Sequence, residues 1–345
     1  MTIGKIVFVG AGAIGGSVAA WLAENRQNVW CYDKPEVLDA IGAKGIAHYD
    51  GGKGSSSART IKLGILRSLE GLGESDLLIF AVKNFSLDAV AGSAATATGG
   101  KPIALSMANG IDNQTILPKH FKRCLYAVVG YNAWLDAPGV IGWQNRGPLV
   151  IGTPDNSLRP ELEAVVAELA KGLEVVATDR LADAAHSKLV VNLVNTITTL
   201  VGQGYREITD LASMQHLVSK TLYEGVRVVE AAGFHELHVG TMPGFGKIRA
   251  SALLPAFLTR GMFKASMDKM VRSSMSQDVL LRGGTTTELE SLTGYIVRLA
   301  EKNALPAPWN SGLYRIAKEA FAKPGFRPYE PAALLQAVEK GGMPA

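Results

Sequence analysis

Cysteine is nearly missing from this chain: of 345 residues only Cys31 and Cys124 are cysteines. Two thiols without metal-ligand spacing exclude a disulfide framework and a cysteine zinc site, and they fit a reducing compartment. Long apolar runs are missing too. None reaches the roughly 18 residues that span a bilayer, and the stretch before the first apolar run leaves no room for a signal peptide. The expectation is a soluble, cytoplasmic protein with no membrane partner. Charge is sparse: 19% of residues are Asp, Glu, Lys or Arg, the net charge is +4, and like charges form no block. That excludes an electrostatic nucleic-acid footprint, while the slight basic excess suits an anionic cofactor or substrate. There is no internal repeat. The length predicts two domains, each able to bury a core.

What is present begins at Lys5. In KIVFVGAGAIGG (5–16) a continuous apolar run, Ile6–Val9, enters a G-x-G-x-x-G of Gly10, Gly12 and Gly15. The run reads as a strand buried on both faces of a parallel sheet, and the following SVAAWLAEN as a helix packed on it. Each glycine then has a duty. The first makes a tight turn, the second lets backbone approach a pyrophosphate, and the third lets helix and strand pack closely. The helix start offers N–H groups and a positive dipole end to phosphates. Gly10, Ala11, Gly12, Ala13, Ile14 and Gly15 are therefore the candidate cofactor-binding stretch. The plainer reading, a glycine turn in some other βαβ unit, is the weaker one.

Asn28–Asp33 reads as the second strand, followed by Lys34. At this strand tip an acidic residue favours the ribose hydroxyls of NAD and a basic one the 2′-phosphate of NADP. Asp33 and Lys34 are neighbours pointing opposite ways, and the sequence leaves open which one faces the ribose. A helix from Pro35 follows, then GGKGSSSART (51–60) as a surface loop. Residues 76–82 and 101–107 read as two more buried strands, ending at Lys83 and at Asn109–Gly110. The C-terminal edge of such a sheet is where ligands bind. A helix-capping lysine and an Asn-Gly turn are the plainer readings, but two such residues at one edge favour a site. Residues 124–154 read as a mostly antiparallel addition to this sheet. Strand signals stop near 180, which sets domains at 1–180 (dinucleotide-binding), 181–325 (helical) and 326–345 (a tail with one short helix).

The helical half opens with AAHSKLVVNLVNTITTL. Lys188, Asn192, Asn195 and Thr199 fall at i, i+4, i+7 and i+11, one face of a single helix. Polar groups on so apolar a helix are costly to bury unpaired. An ordinary solvated face would carry more than one charge, so the ladder favours function. His235 and His238 read as surface histidines, and no metal site is expected. Ser274, Gln277 and Asp278 open the next polar region. Glu288 reads as opening a helix, where the dipole would favour it in any protein.

Taken together, GAGAIGG (10–16), AVKN (81–84), Asn109–Gly110, APGVI (137–141), KLVVN (188–192), SSMSQD (273–278), TELESLTG (287–294) and the Pro306–Pro308 segment resemble the ketopantoate reductase family over nearly the whole chain. The resemblance implies an α/β fold: an N-terminal Rossmann-type dinucleotide-binding domain plus an all-helical C-terminal domain, with the active site in the cleft between. It implies reduction of a branched 2-oxo acid by NADPH, as in pantothenate biosynthesis. Lys188 would protonate the carbonyl oxygen, with Asn109 near the nicotinamide and Glu288 assisting. Lys83 would lie beside the cofactor and Lys34 on the 2′-phosphate. Ser274 would contact the substrate carboxylate, and Asn192 and Asn195 would line the substrate site. Helical second domains of such enzymes often pair, so a homodimer is expected.

The chain also departs from the pattern. The family's second helix asparagine lies eight residues after the lysine, whereas position 196 is Thr and Asn195 falls one earlier. Its strand-end arginine is Lys34 here, preceded by Asp33. The segment 235–271 is longer than the family's. A different 2-oxo acid, with NADH, is therefore the alternative. A non-catalytic dinucleotide-binding redox sensor is the alternative of another class, and the joint presence of Lys188, Asn109 and Glu288 argues against it.

Overall fold

The apolar runs of the N-terminal half do become buried strands. A computed structural model describes residues 1–270 and 272–343, so the last two residues of the 326–345 tail lie outside the described residues. In chain order the strands are β1 (Ile6–Val9), β2 (Val29–Tyr32), β3 (Ile46–Asp50), β4 (Arg59–Ile61), β5 (Gly64–Ile65) and β6 (Leu77–Phe80). They continue as β7 (Ile103–Ser106), β8 (Cys124–Val129), β9 (Asn132–Ala137), β10 (Val140–Gln144), β11 (Leu149–Gly152) and β12 (Val175–Ala177). Between them run α1 (Ala13–Ala23), α2 (Pro35–Lys44), α3 (Asn84–Thr98), the short α4 (Asn113–Ile116) and α5 (Arg159–Leu169). The main sheet has eight strands in the order β12-β11-β8-β7-β6-β1-β2-β5. β1 lies parallel between β2 and β6, with Val9 level with Tyr32 and Phe80. Every residue of β1, β6, β7 and β8 is buried, as continuous apolar strands covered on both faces require. Phe8, Ile79 and Leu105 share the core with Val18, Trp21 and Leu22 of α1.

Residues 124–154 divide between two sheets, which corrects the expectation of one addition. β11 extends the main sheet antiparallel to β8. β9 and β10 instead join β3 and β4 in a four-stranded sheet of order β4-β3-β10-β9. β9 is half-buried or exposed along its length, so it suits a sheet with one wet face. Of the stretch expected as loop (51–60), Arg59 and Thr60 belong to β4, and the mostly exposed residues before them include a 3-10 turn at Ser55–Ser57.

The chain falls into two units, Met1–Ala185 with Val239–Thr241, and His186–His238 with the chain from Met242 on. The division lies inside α6 (Leu181–Asn192). The second unit is helical: α7 (Val194–Val201), α8 (Leu211–Ala231), α9 (Phe245–Leu253), α10 (Ala256–Asp268), α11 (Ser274–Ser276), α12 (Thr293–Lys302), α13 (Pro308–Phe321) and α14 (Pro331–Lys340). α8 is central and packs on α7, α9, α10, α12, α13 and α14. Its Leu217, Val226 and Val229 are buried, as are Ile197, Ile296, Leu313 and Leu334 of its neighbours. α8 also caps α13: the Glu224 carboxylate accepts from the backbone N–H of Trp309 (3.0 Å) and Asn310 (2.7 Å) and from Asn310 Nδ2 (2.8 Å). Burial raises the Glu224 carboxyl above its ordinary pKa, and these donors pull it back.

Candidate active site

Four adjacent parallel strands of the first unit deliver their C-terminal ends to one edge. Gly10 follows β1 with φ +102°, a backbone that a side chain would strain. A Cβ on Gly15 would stand 2.0 Å from the Gly10 carbonyl and 2.7 Å from Ala81 Cβ, so this residue sets the close approach of α1 to β1 and β6. Gly12 is different: an added Cβ there meets no described atom within 4 Å. Gly12, Ala13 and Ile14 are half-buried while Ala11 is buried. Among the described residues no side chain caps α1, so its first N–H groups and its dipole face this open side. A dinucleotide pyrophosphate fits such a cradle, which a Cβ at Gly12 would fill.

The tip of β2 is arranged asymmetrically. Asp33 turns one carboxylate oxygen to the backbone N–H of Ala11 (2.6 Å) and the other to that of Lys34 (2.7 Å). Both oxygens are thus engaged in holding the glycine loop and the strand tip. The Lys34 side chain is exposed. On β6 and β7, Phe80 and Ser106 are level, so Lys83 and Asn109 each stand three residues beyond the same register position. Lys83 is half-buried and precedes α3. Asn109 lies in a turn whose carbonyls are tethered: Asn84 Nδ2 donates to the Asn109 carbonyl, and Asn113 Nδ2 to that of Ala108 at 2.9 Å. Gly110 completes the turn with φ +82°.

In the second unit Lys188 is half-buried on α6. Burial lowers its pKa to about 8, against the opposing pull of the Glu288 carboxylate. Glu288 is itself buried. It does not open a helix, as expected from sequence. It lies in a turn, with its carbonyl accepting from Leu292 N–H at 3.1 Å, and α12 begins only at Thr293. The polar ladder also needs correcting, because it is not one helix. α6 ends at Asn192, the Leu193 N–H bonds the Val190 carbonyl at 3.2 Å, and α7 starts at Val194. This i→i−3 bond tightens the turn, while Leu193 keeps helical backbone angles (φ −59°, ψ −26°). Asn192 and Asn195 stay half-buried, while Thr199 is a core residue whose hydroxyl bonds the Asn195 carbonyl at 2.7 Å. Ser274 is half-buried on α11, behind Ser273, whose hydroxyl caps the turn by accepting from Ser276 N–H. α11 packs on α7 and runs into a π-type turn, Gln277–Leu281.

Family models match both halves of the chain: "Ketopantoate reductase PanE/ApbA" over residues 6–156 and "Ketopantoate reductase PanE/ApbA C terminal" over 180–320. The chain belongs to the ketopantoate reductase family. It is similar to the 2-dehydropantoate 2-reductases of Pyrococcus horikoshii, at 25% identity over 91% of this chain and 96% of the relative, and Archaeoglobus fulgidus, at 25% over 92% and 98%. Its fold is shared with a PanE/ApbA family ketopantoate reductase from Ralstonia eutropha, at TM-score 0.73 and 23% identity over 93% of this chain and all of that one. It is shared equally with D-mandelate dehydrogenase bound to NADH and anilino(oxo)acetate, at TM-score 0.73 and 19% identity over 98% and 99%. A ketopantoate reductase of Staphylococcus aureus, described as dimeric, has the same fold at TM-score 0.65 and 20% identity, over 92% of this chain and 98% of that one. The family's α/β dinucleotide-binding domain and helical C-terminal domain are those of this chain, an oxidoreductase of that family.

The candidate residues fall into two constellations, one in each unit. Gly10 to Gly15, Asp33, Lys34, Lys83 and Asn109 share the edge of the first unit. Lys188 and Glu288 are electrostatically coupled in the second, with Asn195 and Ser274 on helices that pack together. Thr196, where the resemblance led to the expectation of asparagine, is fully buried, and its hydroxyl lies 2.7 Å from that of Thr293. The sequence reading missed several supports: the tethers Asn84 and Asn113, the Thr196–Thr293 pair, and His186. His186 stacks on Phe234 (3.5 Å between centroids), and its Nε2 lies 3.0 Å from the Tyr295 hydroxyl. Asn84 and Asn113 carried a faint signal, since each begins a helix beside a predicted site residue. A lone histidine on an apolar helix carries no trace of a partner so far along the chain.

Proposed function

We propose that the protein reduces a small branched 2-oxo acid to the 2-hydroxy acid with NADPH, ketopantoate being the first substrate to test and pantothenate biosynthesis the implied setting. The observation that carries this is the Lys188–Glu288 pair: an ammonium kept partly out of water, titrating near 8, beside a buried carboxylate. When bound, the dinucleotide supplies the hydride to the carbonyl carbon. Negative charge then develops on the carbonyl oxygen, and that atom needs a cation and a proton. Lys188 supplies both at neutral pH, where it is mostly ammonium, and Glu288 favours that form. Asn109 adds an uncharged donor. Ser274 takes the substrate carboxylate, Asn192 and Asn195 line the rest of the substrate, and Lys83 lies beside the cofactor. Lys34, exposed at the strand tip, takes the 2′-phosphate, while the Asp33 carboxylate holds the Ala11 and Lys34 N–H groups. The protein works as a homodimer.

The second reading, another 2-oxo acid, is favoured by one observation: the Thr196 hydroxyl is bound to Thr293 and so does not serve a substrate hydroxyl. The test follows NADPH and NADH absorbance with ketopantoate, with 2-oxoisovalerate (which lacks the hydroxymethyl group) and with an aryl 2-oxo acid. Turnover of ketopantoate with NADPH is the expected result. Preference for an acid without the hydroxyl selects the second reading. Tight dinucleotide binding with no turnover on any of them would leave only a redox sensor.

A further inference from the structure

Helix α10 buries one stripe and exposes another. Thr259 and Met267 are buried and Phe263 and Met270 half-buried, at the i, i+4, i+8, i+11 spacing of one helical face, and the helix packs on α8 and α9. The opposite side is not that of a solvated helix. Phe257, Leu258 and Met262 are 72%, 58% and 65% exposed, and Leu253 and Leu254, which lead into the helix, are 64% and 48% exposed. Gly261 and Ala265 lie between them on the same side, and a Cβ on Gly261 would meet no described atom within 4 Å. These five residues leave an apolar surface at the upper end of the roughly 300–600 Å² of a typical monomer's largest patch. A standard interface takes about 800 Å² from each partner, so this patch with a modest polar rim is half of one.

We propose that this face of α10, with Leu253 and Leu254, pairs with the same face of a second copy of the chain about a two-fold axis. In an isologous pairing a patch meets itself, so one apolar stripe completes the interface with no matching groove elsewhere. Phe257 and Met262 supply bulk, and Gly261 and Ala265 let two helix backbones approach. Arg260 and Lys264 flank the stripe, a pattern also used by helices lying on anionic lipid. The chain's net charge of +4, without a block of like charges, gives such a surface little electrostatic anchoring, whereas the area matches what a dimer needs. The assignment deepens the homodimer of the functional proposal and is independent of the chemistry.

Sedimentation velocity of the full chain at micromolar concentration tests it. The wild-type protein is expected at dimer mass. Leu258→Glu and Met262→Glu each place a charge in the centre of the pairing, and each is expected to weaken dimerisation about 100-fold or more. Both positions are exposed, so circular dichroism and the melting temperature of the separated monomer stay those of a folded protein. A wild-type chain that remains monomeric at tens of micromolar overturns the proposal, as does a charged variant that keeps the dimer mass. So does a monomer that instead binds phosphatidylserine vesicles through these residues. A dimer without reductase activity would sink the reaction and leave the interface standing, and an active monomer would do the reverse.

Discussion

Burial and a carboxylate act on the Lys188 ammonium in opposite directions, and burial prevails, bringing its pKa from 10.5 down to about 8. A general acid is useful while it holds its proton, so reduction is expected to proceed at neutral pH and to fall as pH rises through about 8. Glu288→Gln removes the influence that favours the ammonium, so the alkaline limb of the pH–rate profile moves to lower pH. A limb that stays put, or moves upward, would break the proposed coupling. The same shift has a stability consequence of definite sign. Between the folded and unfolded pKa values the unfolded chain binds the extra proton, so Lys188 lets stability rise with pH across that window. Lys188→Ala is expected to lower turnover by roughly 10²–10⁴ while leaving NADPH binding, read by fluorescence titration, nearly unchanged. Loss of cofactor binding in that variant would remove Lys188 from the chemistry.

At the scale of elements, local steric demands are what the sequence made legible. Gly10 and Gly15 declare themselves because no other residue meets a φ of +102° or a neighbour 2.0 Å away. Lys83 and Asn109 do so because buried strands end abruptly in polar residues. Pairings between distant segments leave no such trace. β3 finds β10 across the whole middle of the first unit, and with that partner unseen nothing in residues 46–50 marks a strand. The start of α12 is misjudged by five residues because Glu288 mimics a helix-opening acid, and the turn at Leu193 has neither glycine nor proline to mark it. Glu224 is the sharpest instance. On sequence alone it is one more charge on an amphipathic helix, yet it satisfies two backbone donors of α13 and the Asn310 amide. Glu224→Ala leaves those buried donors unpaired and is expected to cost about 2–4 kcal/mol, measured by urea unfolding. A loss within about 0.5 kcal/mol, the range of ordinary surface substitutions, would mean the cap is dispensable.

For the molecule as a whole, the two constellations make separate demands, and a ligand that binds only the folded state reports on the first of them. At a hundredfold excess over its dissociation constant a dinucleotide adds about 2.7 kcal/mol, which raises the melting temperature of a unit this size by about 5–10 °C. The glycine cradle serves NADPH and NADH alike, since both carry the same pyrophosphate. Only the strand tip distinguishes them. With Asp33 committed to the Ala11 and Lys34 N–H groups and the Lys34 ammonium exposed beside it, NADPH is expected to give the larger shift at equal concentration. Lys34→Gln then lowers the NADPH shift to the NADH value without touching the latter, because it removes a charge met only by the 2′-phosphate. Asp33→Ala behaves differently and diminishes both shifts, since it releases the loop that both ligands need. If NADH stabilises the wild-type chain as much as NADPH does, Lys34 has no part in recognition, and the chain sits on the NADH-using side of its family.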